Sequence, residues 1–163
     1  MYRSDDGAEN WKPVLLPAET NGPMSIIADE ENDGRLILSA WGRVTKGKLS
    51  PDTGGGIFLS KDEGKSWIPV LRNDQHVHDI TYDKRNKTWY ACGFNGSAYR
   101  SEDKGETWKR IKGYNFKWGK RVEPDPLDPD KIFIITFGGG VWYGPAKGDE
   151  NSLEDIVTPA LRY

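Results

Sequence analysis

The stretch Phe58-Leu59-Ser60-Lys61-Asp62-Glu63-Gly64-Lys65-Ser66-Trp67 recurs as Tyr99-Arg100-Ser101-Glu102-Asp103-Lys104-Gly105-Glu106-Thr107-Trp108, and the pattern they share decides the fold. It reads aromatic-x-Ser-x-Asp-x-Gly-x-Ser/Thr-Trp. An earlier copy, Tyr2-Arg3-Ser4-Asp5-Asp6-Gly7-Ala8-Glu9-Asn10-Trp11, departs from it at Ala8 and Asn10. A fourth, Trp142-Tyr143-Gly144-Pro145-Ala146-Lys147-Gly148, keeps the aromatic and the late glycine but has lost serine, aspartate and tryptophan. Ser4, Ser60, Ser101 and, by alignment, Gly144 are spaced by 56, 41 and 43 residues. Such a period marks successive copies of one supersecondary unit. The motif has the chemistry of a tight hairpin. An aspartate accepts hydrogen bonds from N–H groups of its own turn. Glycine two residues later permits a positive φ, and Ser or Thr closes further local bonds. Trp opens the next strand and packs its indole over the hairpin. These residues are read as structural rather than as catalytic or calcium-binding groups.

Composition agrees with short strands and tight turns. The 163 residues include 19 Gly, 7 Trp and 7 Tyr, a mixture suited to strands joined by glycine turns. Hydrophobic residues make up 36% and charged residues 29%, which places the chain with globular rather than disordered sequences. The net charge of −2 is interspersed, so no nucleic-acid footprint is expected. No apolar run approaches the length of a membrane helix, and the polar start Met1-Tyr2-Arg3-Ser4-Asp5 does not read as a signal peptide. Cys92 is alone, which precludes an internal disulfide, and on a strand it reads as a small core residue.

The repeated motif resembles the Asp-box, or BNR repeat, of sialidase-like and sortilin-like β-propellers, which also occurs in xyloglucan-degrading endoglucanases and photosystem assembly factors. The run from Phe116 to Trp142 is similar to the C-terminal blades of large bacterial BNR-repeat glycosyl-hydrolase-like proteins. The resemblance implies an all-β fold, a partial β-propeller of about three to four four-stranded antiparallel blades, with each box joining strands three and four. Strands are then expected at Ser25–Ala28, Arg35–Trp41, Gly56–Ser60 and Trp67–Leu71, with an insertion over Gly42–Gly55. The next set is Val77–Tyr82, Lys87–Cys92, Ser97–Arg100 and Trp108–Ile111, followed by Arg121–Glu123, Ile132–Thr136 and Gly140–Tyr143. The expected organisation is one incomplete propeller over residues 1–163: an outer hairpin at 2–16, blades at 17–71 and 72–112, and a partial blade at 113–157. Helix is expected nowhere beyond a turn at Ser152–Ile156. A closed propeller needs at least four blades, so the expected partner is the rest of a longer propeller chain or a second copy.

The resemblance also places the loops between strands two and three, and between blades, on the face opposite the boxes, where propellers carry their sites. Two clusters fall there. In Asn73-Asp74-Gln75-His76-Val77-His78-Asp79, the imidazoles of His76 and His78 share one side of a strand. They suit metal ligation or acid–base work; the other reading is polar lining of a wet channel mouth. No third ligand is identifiable, so neither a metal nor another cofactor is assigned. In Tyr114-Asn115-Phe116-Lys117-Trp118-Gly119-Lys120-Arg121, aromatic faces beside amide and cationic groups suit sugar rings; the other reading is packing between blades. The candidate ligand-binding residues are Trp41, His76, His78, Tyr114, Trp118 and Arg121.

Two functions follow as expectations. One is a recognition or scaffold segment that binds carbohydrate or protein through the loop face. The other is part of a glycoside hydrolase, endoglucanase-like or sialidase-like, with catalytic residues partly outside this chain. The paired carboxylates an endoglucanase needs find only Asp74 and Asp79 as candidates. The arginine-containing N-terminal motif of sialidases is not visible, although Arg43, Arg72 and Arg121 fall near the loop face. Polysaccharide or another glycan is the expected partner, without nucleic acid or membrane insertion, and the resemblance suggests an extracellular or periplasmic location.

Overall fold

The computed structural model describes residues 1–45, 48–49, 54–72, 74, 76–94 and 97–152. Among them the fold is all-β and every strand pairing is antiparallel. The first four-stranded sheet runs β3 (Thr20–Ala28), β4 (Leu36–Gly42), β7 (Gly56–Ser60), β8 (Ile68–Leu71), in spatial order β3-β4-β7-β8. The second contains β9 (Val77–Asp83), β10 (Thr88–Gly93), β11 (Ser97–Ser101) and β12 (Lys109–Ile111), again as a meander. A third has three strands, β13 (Gly119–Pro124), β14 (Lys131–Thr136) and β15 (Val141–Pro145). A short hairpin, β1 (Tyr2–Arg3) with β2 (Lys12–Pro13), precedes them.

The expected strands are all present, most of them displaced by one or two residues at an end. Two segments differ more. The first strand starts at Thr20 rather than Ser25, because bulges at Asn21 and Met24 let residues 20–24 stay paired with β4 past Pro23. The insertion expected as a loop over 42–55 contains its own two-residue ladder, β5 (Val44–Thr45) with β6 (Lys48–Leu49). The turn expected over 152–156 and the far end of the partial blade lie almost wholly outside the described residues.

The three serine–aspartate turns share one bonding scheme. The serine hydroxyl donates to the aspartate at 2.7 Å (Ser4–Asp6), 2.8 Å (Ser60–Asp62) and 2.7 Å (Ser101–Asp103). It also accepts the N–H four residues on, from Ala8, Gly64 and Gly105, at 2.8 to 2.9 Å. The aspartate accepts both the backbone N–H and the side chain of the residue four positions later: Ser66, Thr107 and, in the first copy, Asn10. Asn10, a departure in sequence, thus does the work of Ser or Thr with its amide. Ala8 does depart: it is held at φ 74, where the other copies have Gly64 (φ 83) and Gly105 (φ 79). The fourth copy has no room for a side chain at its serine position. A Cβ at Gly144 would lie 2.7 Å from the Tyr114 hydroxyl, which fills the space.

Successive sheets pack face to face. Trp89 and Ala91 of β10 join Ile37, Ile57 and Leu59 of the first sheet, while Tyr90 and Cys92, pointing the other way, join Val122, Ile132 and Ile134 of the third. Full burial of each such aliphatic side chain contributes ~1.5–3 kcal/mol. The first strands lie side by side, β9 against β3 and β4 on one flank and against β13 on the other. The Thr81 hydroxyl donates to the Val122 carbonyl at 2.6 Å across that seam. Because each sheet is an up-and-down meander, the turns joining strands one to two and three to four share one end. That end is sealed: Arg35 donates to the Lys104 carbonyl (2.6 Å) and pairs with Glu106 (3.0 Å) of the next sheet's turn. The other end carries the remaining loops.

Two predictions follow from the turns. Ser60 and Ser101 are buried, and replacing either by Ala strands the Gly64 or Gly105 N–H; chemical denaturation should show losses of ~1–3 kcal/mol. The bonds from Ser66 and Ser60 lower the Asp62 carboxyl from an ordinary 3.8 to about 2. Its stabilisation is therefore present above the ordinary value and fades as pH falls through the folded one. Between pH 4 and 2 the Asp62→Asn variant should lose less stability than the parent; equal acid sensitivity would contradict this.

Candidate functional site

The loop-bearing end is built by a bulge repeated in all three inner strands. At the same place in each ladder one residue of the first strand is skipped: Met24 between Pro23 and Ser25, His78 between Val77 and Asp79, and Lys120 between Gly119 and Arg121. Such bulges re-aim side chains, and Met24, His78 and Lys120 all line one groove of about 410 Å³ together with Asp79, Arg121 and Ile135. Asp79 and Arg121 occupy equivalent positions after their bulges and form an ion pair, the Arg121 Nε donating to Asp79 Oδ2 at 2.5 Å.

Beside the groove stands a cluster of rings from three sheets. Trp41 meets His76 at 5.0 Å, His78 at 5.2 Å and Phe94 at 5.7 Å between ring centroids, all edge to face. Phe94 stacks on Trp118 at 5.7 Å, and His78 approaches Phe137 at 4.8 Å. The Lys120 ammonium sits 5.6 Å from the Phe137 ring, a cation–π geometry. Trp41 and His76 are further tied by a backbone bridge across the first two sheets, and the His76 carbonyl accepts the Phe94 N–H at 2.9 Å. Trp118 holds φ 54, a backbone state costly for a bulky residue.

Four of the six candidate ligand-binding residues, Trp41, His76, His78 and Trp118, thus meet in one cluster, with Arg121 lining the adjoining groove. Tyr114 does not join them. It is 6% exposed among Tyr90, Ile111 and Ile132, and its hydroxyl donates to the Pro145 carbonyl at 2.9 Å. Burial pushes its phenol up to about 12. It packs between sheets, as does Phe116. Asp74 is likewise withdrawn from the surface. It is wholly buried, its Oδ1 accepts the His76 N–H at 3.0 Å, and a Cβ on Gly93 would collide with its Oδ2. With Asp74 buried as a support for His76 and Asp79 engaged by Arg121, the two carboxylates do not face each other across a cleft as an acid–base pair would. Arg72, one of the arginines near this face, lies over the Phe58 ring.

Phe94 and Phe137 went unrecognised as individual site residues, yet the sequence carries their signal. Leu36 pairs with Ser60, Trp89 with Ser101 and Ile132 with Gly144. Five residues beyond each stands an aromatic: Trp41, Phe94 and Phe137.

In the groove Arg121 is paired with Asp79, and the Lys120 ammonium faces the Phe137 ring. Burial lowers both imidazoles; His76 is lowered further by His78, whereas for His78 the effect of Asp79 opposes burial and that of Lys120 adds to it. Two buried polar atoms in the cluster have no hydrogen-bond partner among the described residues, Trp41 Nε1 and His76 Nδ1. No cluster of three or more His, Cys, Asp or Glu able to hold a metal is found among the described residues.

No family model matches the chain. The xyloglucanase Xgh74A of Acetivibrio thermocellus is 27% identical over 182 residues, covering 91% of this chain and 20% of that enzyme. A phosphoribosyl-AMP cyclohydrolase of Halorhodospira halophila is 26% identical over 141 residues, covering 80% of this chain and 93% of that protein. Among solved structures, an ancestral GH74 enzyme superposes with a TM-score of 0.64 at 23% identity, over 91% of this chain and 20% of its own. YCF48 from Cyanidioschyzon merolae superposes with a TM-score of 0.58 at 20% identity, over 86% of this chain and 38% of its own. Both structures are β-propellers, and with the antiparallel meanders they show that fold here. The chain spans about a fifth of the length of the xyloglucanases it matches.

The placement of Tyr114 separates packing from binding. Tyr114→Phe should cost ~0.5–1.5 kcal/mol through loss of the bond to Pro145, measured by denaturation, and should leave the affinity of any ligand at the ring cluster unchanged.

Proposed function

We propose that this chain is a recognition segment of a glycoside-hydrolase-related propeller and holds an uncharged polysaccharide of the xyloglucan type across its loop-bearing end. The observation that carries this reading is the convergence of Trp41, His76, His78, Phe94, Trp118 and Phe137 from three sheets beside the groove behind the bulges. Pyranose rings present C–H faces that stack on indole and phenyl rings, and hydroxyls that need nearby donors and acceptors. Arg121 is already engaged by Asp79, which leaves ring faces as the main contacts for such a ligand. Similarity to xyloglucanase segments supports the polysaccharide class.

On this reading the serine–aspartate turns are Asp-boxes, kept for architecture. Hydrolysis, where the whole protein performs it, draws its carboxylates from outside the described residues, since Asp74 and Asp79 are committed elsewhere. Contact with a cell-wall polysaccharide implies an extracellular or periplasmic setting. The cavity of about 740 Å³ between hairpin β1–β2 and the first sheet, lined by Tyr2, Trp11, Ile26 and Leu36, is the place for strands of another blade, from a longer chain or from a second copy.

Calorimetry with xyloglucan oligosaccharides tests the reading. The parent should bind, Trp118→Ala should weaken binding roughly tenfold or more, as loss of a central aromatic contact does, and Trp118→Phe should recover part of it. Absence of binding to any neutral glucan, or indifference to Trp118→Ala, would overturn it.

A further inference from the structure

The outer rim of the second sheet concentrates positive charge in a chain whose net charge is −2. A pocket of about 460 Å³ there is lined by Arg100, Lys109, Arg110, Lys112 and Lys147. The carboxylates beside them are Glu102 and Glu150. A smaller hollow of about 190 Å³ adjoins it and shares Arg100, Glu102 and Lys109. Neither has a residue in common with the groove at the loop-bearing end. Two structural features assemble the cations. β12 pairs with β11 so that Lys109 stands directly opposite Arg100, a juxtaposition of like charges that costs stability. Arg100 is offset by its ion pair with Glu102; Lys109 is not. Lys147 is delivered by the third sheet, whose last turn is pressed onto the end of β12. The Asp149 N–H donates to the Lys112 carbonyl at 3.1 Å, and a Cβ on Gly148 would lie 2.1 Å from that same oxygen. Lys109, Arg110, Lys112 and Lys147 are exposed, and none of them forms an ion pair among the described residues.

We propose that this rim is a second binding surface, which takes a carboxylate-bearing polysaccharide chain of the polyuronate type. A hollow lined by one sign of charge draws the opposite sign to it. The cations are spread rather than focused on a point. Successive residues of a strand point to opposite faces, so Lys109 and Arg110 diverge, and Lys147 comes from another sheet. A single phosphate or sulfate meets only some of them, whereas a chain with a carboxylate on every unit meets them in series. Three of the four unpaired cations are lysines, compact point charges on flexible stems, rather than the planar guanidinium forks that suit phosphate. The lining then decides between polymers. Among the described residues, every side chain lining the larger pocket is charged. Nucleic-acid bases therefore have no ring to stack on, and an acidic peptide finds no apolar anchor. A polyuronate, charged and hydroxylated along its whole length, needs neither. The rim thus holds a charged strand by a surface separate from the ring cluster proposed to hold a neutral one.

The test uses the whole chain and oligogalacturonates, with binding followed by calorimetry. The parent should bind them, and binding should fade as salt rises from about 20 to about 300 mM, because the cations are exposed. Fully methyl-esterified oligogalacturonates keep the sugar rings but lose the charge, and should not bind. The double variant Lys109→Gln with Lys112→Gln should weaken binding roughly three- to tenfold, the share of two exposed charge pairs. Both positions are exposed, so the fold tolerates the change. Lys12→Gln with Lys65→Gln removes the same charge from the β1–β2 hairpin and the first sheet's turn, and should bind as the parent does. Trp118→Ala should leave oligogalacturonate binding unchanged, which keeps this test apart from that of the xyloglucan reading. No binding by the parent, binding of the esterified form, or equal losses in the two double variants would each sink the proposal. So would tighter binding of inorganic polyphosphate than of an oligogalacturonate of equal charge. Failure to bind xyloglucan would leave it standing.

Discussion

The loop-bearing end is framed by a bond made at the opposite one. In each turn the serine hydroxyl gives its proton to the aspartate and receives the N–H four residues on. That pair of bonds closes a hairpin with no help from the rest of the molecule, so strands three and four acquire their register locally. Arg35 then ties the turn of the second sheet to the first through the Lys104 carbonyl and Glu106. One end of each sheet is closed by its turns, while the other carries its own ties, the Trp41–His76 bridge and the Phe94 N–H to the His76 carbonyl. The loops of that other end vary in length, as the insertion in the first sheet does.

The bulges convert that freedom into a site. A regular first strand would alternate its side chains between the two faces of the sheet, and each would be consumed by packing on the neighbouring sheet. One extra residue at the same place in three ladders breaks the alternation and turns Met24, His78 and Lys120 into a common groove. The aromatic that ends each second strand sits beside it: Trp41, Phe94 and Phe137. The site is thus a product of the repeat rather than an addition to it. Its chemistry differs from blade to blade because the bulged residue and its successor differ: Met-Ser, His-Asp and Lys-Arg.

The sequence made the architecture legible because the turn is local. Ser, Asp, Gly and Trp at fixed offsets describe a hairpin complete in itself, and strand positions follow from its period. Most of the site was legible for a different reason: His76, His78 and Trp118 stand out as polar or aromatic residues in loop-like stretches. What escaped was non-local. Tyr114 lies in the same short stretch as Trp118, and only the space left at Gly144, thirty positions away, admits its hydroxyl to the core. Asp74 looks like a catalytic carboxylate until Gly93, across the sheet, is seen to leave room for it and for nothing larger. The bulges are invisible without pairing partners, since a skipped residue exists only relative to the strand beside it. Asn10 shows the opposite error: a mismatch in letters that is a match in hydrogen bonding.

The two aspartates of this end, Asp74 buried and Asp79 partly buried, both have partners within the protein. Asp74 spends its Oδ1 on the His76 backbone, and Asp79 is held by Arg121. Each carboxylate therefore has a partner before any ligand arrives, and burial disfavours the charged form of both imidazoles. In a partly dry, aromatic setting an unanswered charge would dominate recognition, because its field decays slowly where water is scarce. With Arg121 paired to Asp79 and Lys120 exposed to water, which screens its charge, ring faces remain as the contacts offered to a ligand. Such contacts suit a polymer of similar neutral units better than a single charged metabolite. No one unit needs to bind tightly when a long chain can lie across rings drawn from several blades, and the repeat that builds the fold supplies those rings at a regular interval.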